Sequence, residues 1–332
     1  MIALIEARGL SKHYPSRDGK GIVKAVNGVN LAVVKGETLG IVGESGCGKS
    51  TLARLLLRLI EPTEGEVLLE GENLLTLDAA AMRRRRRDIQ IVFQDPYASL
   101  DPRMTVADII AEPLDIHAVG TSLERRAKVA GLLDLVGLDP SAGKRYPHEF
   151  SGGQRQRIGI ARAIALEPKL VVLDEPVSAL DVSIQSQILN LLDDLKRRLQ
   201  LSYIFISHDL SVVQHVSDRV AVMYLGQIVE EGLAEDVFGA PVHPYTQALI
   251  SAVPEIDSGE RKQRIILAGD PPNPENIPPG CPFHPRCIHA FGPCPTQIPE
   301  LRGDTMHRAA CHLIESGAKA APGPRVSSAS RS

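Results

Sequence analysis

Residues 43–51 read GESGCGKST, between the apolar run TLGIV (38–42) and the leucine-rich LARLLLRLI (52–60). Three glycines in six residues suit neither a strand nor a helix, because glycine gives up the most backbone entropy in either. A ligand that uses the freed backbone must offset that cost. The pattern Gly43-x4-Gly48-Lys49-Ser50, after a strand and before a helix, matches a phosphate-binding loop. Its glycines let the N–H groups of Glu44, Ser45, Gly46, Cys47 and Gly48 converge on phosphate oxygens, and the helix that follows adds the positive end of its dipole. Lys49 is placed to reach the β and γ phosphates of a nucleotide, the Ser50 hydroxyl to ligate Mg²⁺, and Thr51 completes the motif. Cys47 takes a variable position, so no side-chain role is expected of it, with sensitivity of the loop to thiol reagents as the alternative.

The 332 residues allow about two domains at roughly 150 residues each. The apolar fraction of 43% is that of a globular chain, and a net charge of −3 argues against a generally basic nucleic-acid binder. The run Arg83–Arg87 has no interleaved aromatics and reads as a solvated helix face. The N-terminus lacks the charged start and long apolar run of a signal peptide. The longest apolar runs, LVVL and YIFIS, fall far below the roughly 20 residues of a membrane span. The expectation is a soluble cytosolic protein that meets a membrane only through a partner.

Strands are expected over 2–7, 22–34 and 38–42, and a helix over 49–60 with Leu52, Leu55, Leu56 and Leu59 on one face. Residues 61–74 read as a turn and strand, 88–96 as a strand stopped by Pro96, and 106–136 as helical with a break near Gly120. A helix over 155–166, a strand over 169–176, a helix over 183–200 and a strand over 202–209 follow. This alternation predicts an α/β fold around a parallel sheet.

LVVLDEP (170–176) is a buried strand ending in paired acids. Asp174 is placed for the Mg²⁺ shell and Glu175 to orient or deprotonate the attacking water. FSGGQRQRIGIARAI (150–164) opens a helix with Ser151, Gly152, Gly153 and Gln154, a second anion site at a helix N-terminus. About a hundred residues separate it from the first loop, and one γ-phosphate needs both only if two chains share it.

With these elements in this order, residues 1–232 resemble an ABC-transporter ATPase domain, including a helical subdomain near 97–165, and SGGQ resembles that family's signature. The resemblance implies a head-to-tail dimer, with ATP held between the Lys49 loop of one subunit and Ser151–Gln154 of the other. By the same resemblance Tyr14 stacks on adenine, and Gln94 senses Mg²⁺ and water beside the membrane partner. SALD (178–181), ending in Asp181, crosses the dimer interface, and His208 is the switch histidine that contacts the γ-phosphate. No motif is degraded, so this chain's share of both sites is expected to be competent for hydrolysis.

RRRRRDIQIVFQDPYASLDPRMTVADIIAEPL (83–114), HPYTQALISAVP (243–254) and GCPFHPRC (280–287) resemble the ATPases of oligopeptide and dipeptide importers and their C-terminal extension. FQDPYASLDPR is closer to the second ATPase subunit of systems that encode two. The implied partners are a second ATPase subunit, identical or different, two transmembrane permease subunits and an external substrate-binding protein, with this chain at the cytoplasmic face of the membrane. A soluble ABC ATPase of ribosomes or DNA is the alternative. Such proteins usually carry two ATPase domains or a long coiled coil, and this sequence shows neither. A redox module with secondary ATPase activity is a further alternative.

Cys281, Cys287, Cys294 and Cys311 fall within 31 residues of a proline-rich extension (233–315), ahead of a small, polar tail (316–332) expected to be disordered. Their spacing, C-x5-C-x6-C-x16-C, is neither the paired C-x2-C of structural zinc nor the ferredoxin run. Four thiolates can bind zinc or an iron–sulfur cube, or remain free, with His284, His307 and His312 as nearby alternative ligands. Resemblance to the importer extension favours [4Fe–4S].

Overall fold

The computed structural model describes residues 3–16, 19, 21–95, 97, 99–253, 264–267, 269–304 and 306–315. The tail expected to be disordered, 316–332, lies outside them. Strand β3 (Thr38–Val42) is buried along its whole length, between β8 (Ser202–Ile206) and β9 (Arg219–Tyr224), both parallel to it. Beyond β8 come β7 (Leu170–Asp174) and β6 (Ile89–Val92), also parallel. Such strands are covered on both faces, which is why they read as continuous apolar runs.

Alternate residues of these strands serve two cores. Ile41, Val172, Ile204 and Met223 face one cluster, with the helix α1 (Lys49–Leu56) and the antiparallel sheet β2–β1–β4–β5. That sheet comprises β1 (Ala3–Pro15), β2 (Ile22–Val34), β4 (Glu64–Leu69) and β5 (Glu72–Asn73). Val42, Leu173, Phe205 and Val222 face the other cluster. There they meet α3 (Val106–Ile116), α4 (Ser122–Leu135), α5 (Gly152–Ile164), α6 (Val182–Leu199) and α7 (Leu210–Val216). The break near Gly120 divides α3 from α4, and Thr121 with Glu124 forms a capping box that starts the second helix. The arginine run ends α2 (Ala79–Arg85), with Arg85 paired to Glu72 and Asp88, so these cations are partly used within the chain.

Three expectations shift. The first strand runs to Pro15 rather than to residue 7, because register shifts around Gly9 let β1 resume pairing with β2 through a polar stretch that shows no apolar alternation. Helix α1 stops at Leu56 rather than residue 60. Arg58 takes the left-handed conformation (φ 48°), and its N–H donates to Leu55 while that of Leu59 donates to Arg54. Glycine is the usual signal for this ending, and here arginine takes its place.

The third shift concerns the C-terminal segment. After β10 (Gln227–Leu233), α8 (Ala234–Gly239) and α9 (Pro244–Ser251), the proline-rich stretch returns to the core sheet. It adds β12 (His307–Ala309) antiparallel to β10 and β11 (Arg302–Gly303) antiparallel to β12 at the sheet edge, then ends in α10 (His312–Glu315). Strands of two and three residues carry no readable periodicity, so the sequence does not announce them. Glu230 of β10, fully buried, accepts from the N–H groups of Val242 and His243 and pairs with His307 at 2.7 Å. Burial pushes His243 down to about 4, so it is neutral at pH 7 and its Nδ1 accepts from Tyr245 N–H. The rings of Tyr224, Tyr245 and Phe283 pack together, with centroids 4.7–5.5 Å apart, and tie the extension to the sheet.

Candidate functional site

The loop between β3 and α1 lies at the carboxyl end of the central strand, where open α/β sheets bind ligands. Its curvature depends on glycine. Gly48 has φ 108°, and a Cβ there would lie 2.1 Å from the Ala25 carbonyl oxygen. Lys49 is buried, and its ammonium donates to the carbonyl oxygens of Gly43 (2.7 Å) and Glu44 (3.0 Å). The ammonium is thus held inside the loop by acceptors that phosphate oxygens can replace. Cys47 is buried, and burial pushes its thiol up, which favours no reactive role over sensitivity to thiol reagents.

A cavity of about 340 Å³ brings together residues 45–51, Gln94, Glu175, residues 23–25 and Pro274. Ser50 Oγ donates to Asp174 Oδ1 at 3.0 Å. Burial, helped by the neighbouring Glu175, pushes the Asp174 carboxyl above the usual range against that bond. A hydroxyl beside a desolvated carboxylate suits a hard, oxygen-preferring divalent cation, whose charge would draw Asp174 back to its ionised form.

Glu175 has φ 49°, a left-handed conformation that costs a non-glycine residue on the order of 1–3 kcal/mol. Its N–H donates to the Ile206 carbonyl oxygen of β8 (2.9 Å), which holds the strained turn. The turn aims its carboxylate into the cavity. There Gln94 Nε2 donates to Oε2 at 2.8 Å and His208 Nδ1 lies 3.3 Å from Oε1. Four sequence-derived positions thus converge: the loop, the Ser50–Asp174 pair, Gln94 and the Glu175–His208 pair.

Others stand apart. Tyr14 is exposed on β1, with the Lys12 ammonium 5.2 Å from its ring centre. Ser151, Gly152, Gly153 and Gln154 are absent from the described lining of the cavity. Ser151 caps α5, which starts at Gly152 as the signature motif suggests and ahead of residue 155, where the run along the chain places it. Ser151 Oγ accepts from Gln154 N–H while Gln154 Oε1 accepts from Ser151 N–H, a capping box. Gly153 allows close approach of α6, because a Cβ there would meet Ile184 Cγ2 at 2.4 Å. Asp181 starts α6, its carbonyl oxygen accepting from Ile184 and Gln185 N–H, and Ser178 Oγ donates to the Glu175 carbonyl oxygen.

The four C-terminal cysteines are the expectation the structure serves least. Among the described residues, no group of three or more His, Cys, Asp or Glu is gathered to hold a metal ion, so neither the zinc reading nor the cluster reading gains support here. The thiols of Cys281, Cys287, Cys294 and Cys311 do lie within electrostatic reach of one another. Burial, ahead of their mutual repulsion, pushes Cys287 and Cys311 up to about 11. Sequence reading missed two residues altogether: Tyr245 and Arg286 both touch Glu44 of the phosphate loop. No spacing rule links positions 200 or more residues apart.

Comparison with known proteins agrees with this geometry. The family described as ABC transporter matches residues 26–178, and that described as oligopeptide/dipeptide transporter, C-terminal region, matches residues 229–294. The chain is 53% identical over 319 residues to the oligopeptide transport ATP-binding protein AppF of Bacillus subtilis, covering 93% of this chain and 97% of that one. It is 50% identical to the dipeptide transport ATP-binding protein DppF of Escherichia coli, covering 94% and 95%. Among solved structures, the dimeric ATP-binding cassette MJ0796 bound to ADP and Pi aligns with a TM-score of 0.63 and 31% identity, over 69% of this chain and 98% of that one. With both family matches on one chain and relatives at half identity over nearly its whole length, the chain belongs to the ABC-transporter ATPases that carry the oligopeptide/dipeptide-transporter C-terminal region.

Proposed function

We propose that the chain is the ATP-hydrolysing subunit of an importer for dipeptides, oligopeptides or related small solutes. The observation that carries this reading is the Glu175 carboxylate, held between Gln94 and His208 beside the Ser50–Asp174 pair and the Lys49 loop. In the ATP complex, the Lys49 ammonium exchanges its carbonyl partners for β- and γ-phosphate oxygens. Ser50 and Asp174 hold Mg²⁺, which neutralises charge on those oxygens when bound. Glu175 takes the proton of the water that attacks the γ-phosphorus, the bond to the β-phosphate oxygen breaks, and ADP and phosphate leave. Tyr14 stacks on the adenine.

Ser151–Gln154 and Asp181 act on the ATP of a second subunit, identical or different, so hydrolysis requires two chains. That reading is supported by their absence from the chain's own loop cavity and by the dimeric form of the similar cassette MJ0796. Residues 1–232 form the ATPase unit, with a helical part near 97–165, and 233–315 its extension. Among the described residues no helix is long and apolar enough to cross a membrane. Anchoring at the cytoplasmic face is therefore assigned to two permease subunits, reached through the Gln94 region, and cargo capture to an external binding protein. The ribosome- or DNA-associated alternative is not favoured by relatives named for transport. Reconstitution with the permeases tests the assignment: ATP-dependent accumulation of labelled peptide in vesicles is expected, and ATP hydrolysis that never responds to permeases or peptide contradicts it.

For the four cysteines the finer reading is a [4Fe–4S] cluster. A cubane spaces its thiolates more widely than a single ion does. That reading is supported by the resemblance of the extension and by four thiols close enough to interact electrostatically, and metal would have to displace their protons. Anaerobically purified protein is expected to be brown, with about four iron atoms per chain and visible absorbance that bleaches on reduction. Colourless, iron-free protein rejects the cluster.

A further inference from the structure

All three polar groups of Glu44 in the phosphate loop are engaged, two of them by the C-terminal segment. Its carboxylate takes a two-pronged pair from Arg286, Nη1 to Oε2 at 2.9 Å and Nη2 to Oε1 at 3.0 Å. Its N–H donates to the Tyr245 hydroxyl at 2.8 Å. Its carbonyl oxygen accepts the Lys49 ammonium. Arg286 is buried and Tyr245 fully so, packed against Phe283 and Tyr224 on the core sheet, so the anchor is rigid. A fork-to-fork arginine–carboxylate pair fixes orientation as well as distance. The same segment touches the other end of the cavity: Pro274 lines it, and the Pro274 carbonyl oxygen accepts Lys24 N–H at 3.3 Å.

We propose that Arg286 is a positioning residue for ATP binding, and that through Glu44 the cysteine-bearing loop of the extension clamps the phosphate loop in its binding shape. Arg286 lies beside Cys287, on a turn in which Arg286 N–H donates to the Phe283 carbonyl oxygen. Any loss of fold in that loop therefore withdraws the guanidinium from Glu44. The phosphate loop then loses the constraint that curls Glu44 back over Lys49, and ATP binds a loop it must first order. The extension is thus a determinant of nucleotide affinity, in addition to any part in transport.

The inference rests on the ATP-binding reading of the same loop, and the test separates the two. Full-length chain and the variants Arg286→Ala, Arg286→Lys and Tyr245→Phe are titrated with a fluorescent ATP analogue and melted in parallel. Arg286→Ala is expected to weaken binding by about tenfold. Arg286→Lys falls between, because a point charge keeps attraction but loses the fork. Tyr245→Phe removes one hydroxyl and weakens binding in the same direction, and it decides the matter if Arg286→Ala does not fold. Wild-type affinity in the folded variants, including the case where only the melting temperature drops, overturns the clamp. A wild-type chain that binds no ATP overturns the loop assignment itself.

Discussion

Replacing Glu175 with glutamine is expected to lower the ATP hydrolysis rate by about 10²–10⁴-fold, the usual contribution of a positioned general base, and to leave ATP binding intact. Glutamine keeps the shape and one acceptor oxygen of the side chain but cannot take a proton at neutral pH. The contacts with Gln94 at 2.8 Å and His208 at 3.3 Å hold the carboxylate in place. The left-handed backbone at Glu175 is fixed by β8 through its N–H, so the variant side chain occupies the same place. Single-turnover hydrolysis beside equilibrium ATP binding separates the two effects. A variant that hydrolyses ATP at the normal rate removes Glu175 from the mechanism.

Lys49→Ala acts on the opposite parameter. The ammonium makes two bonds within the loop, at 2.7 and 3.0 Å, and is expected to make comparable ones to phosphate oxygens. Hydrogen bonds to charged groups contribute about 1.5–3 kcal/mol each. Two such bonds give about 3 kcal/mol or more, or roughly a hundredfold loss of ATP affinity at about 1.4 kcal/mol per decade. Equilibrium titration with an ATP analogue reads this directly, with circular dichroism to confirm that the loop's removal of one donor has not unfolded the chain. Binding within twofold of wild type contradicts the placement of Lys49 on the phosphates.

Much of the site was legible because its chemistry depends on short-range order. The glycines, Lys49 and Ser50 occupy consecutive positions between a strand and a helix, and Asp174 and Glu175 end a buried strand whose apolar run is unmistakable. Gln94 and His208 were placed only through resemblance, since a lone polar residue after a strand carries no periodic signal. Three things escaped because they are made by tertiary contact. Arg58 ends α1 in a conformation usually marked by glycine. His307–Ala309 becomes a strand only by pairing with β10. Arg286 and Tyr245 reach Glu44 across 242 and 201 positions of chain. The cysteines show the converse: their proximity in sequence suggested a metal site, yet among the described residues no group of three or more His, Cys, Asp or Glu is gathered that could hold one.

One ATP is to be enclosed by two chains, and the particle mass of Glu175→Gln chains with Mg²⁺ and ATP, measured by light scattering, tests this most directly. Blocked hydrolysis should trap a particle holding two ATPase chains, which separates when ATP is withdrawn. Chains that bind ATP fully and stay single at every concentration, both alone and mixed with the second ATPase subunit, contradict the shared site.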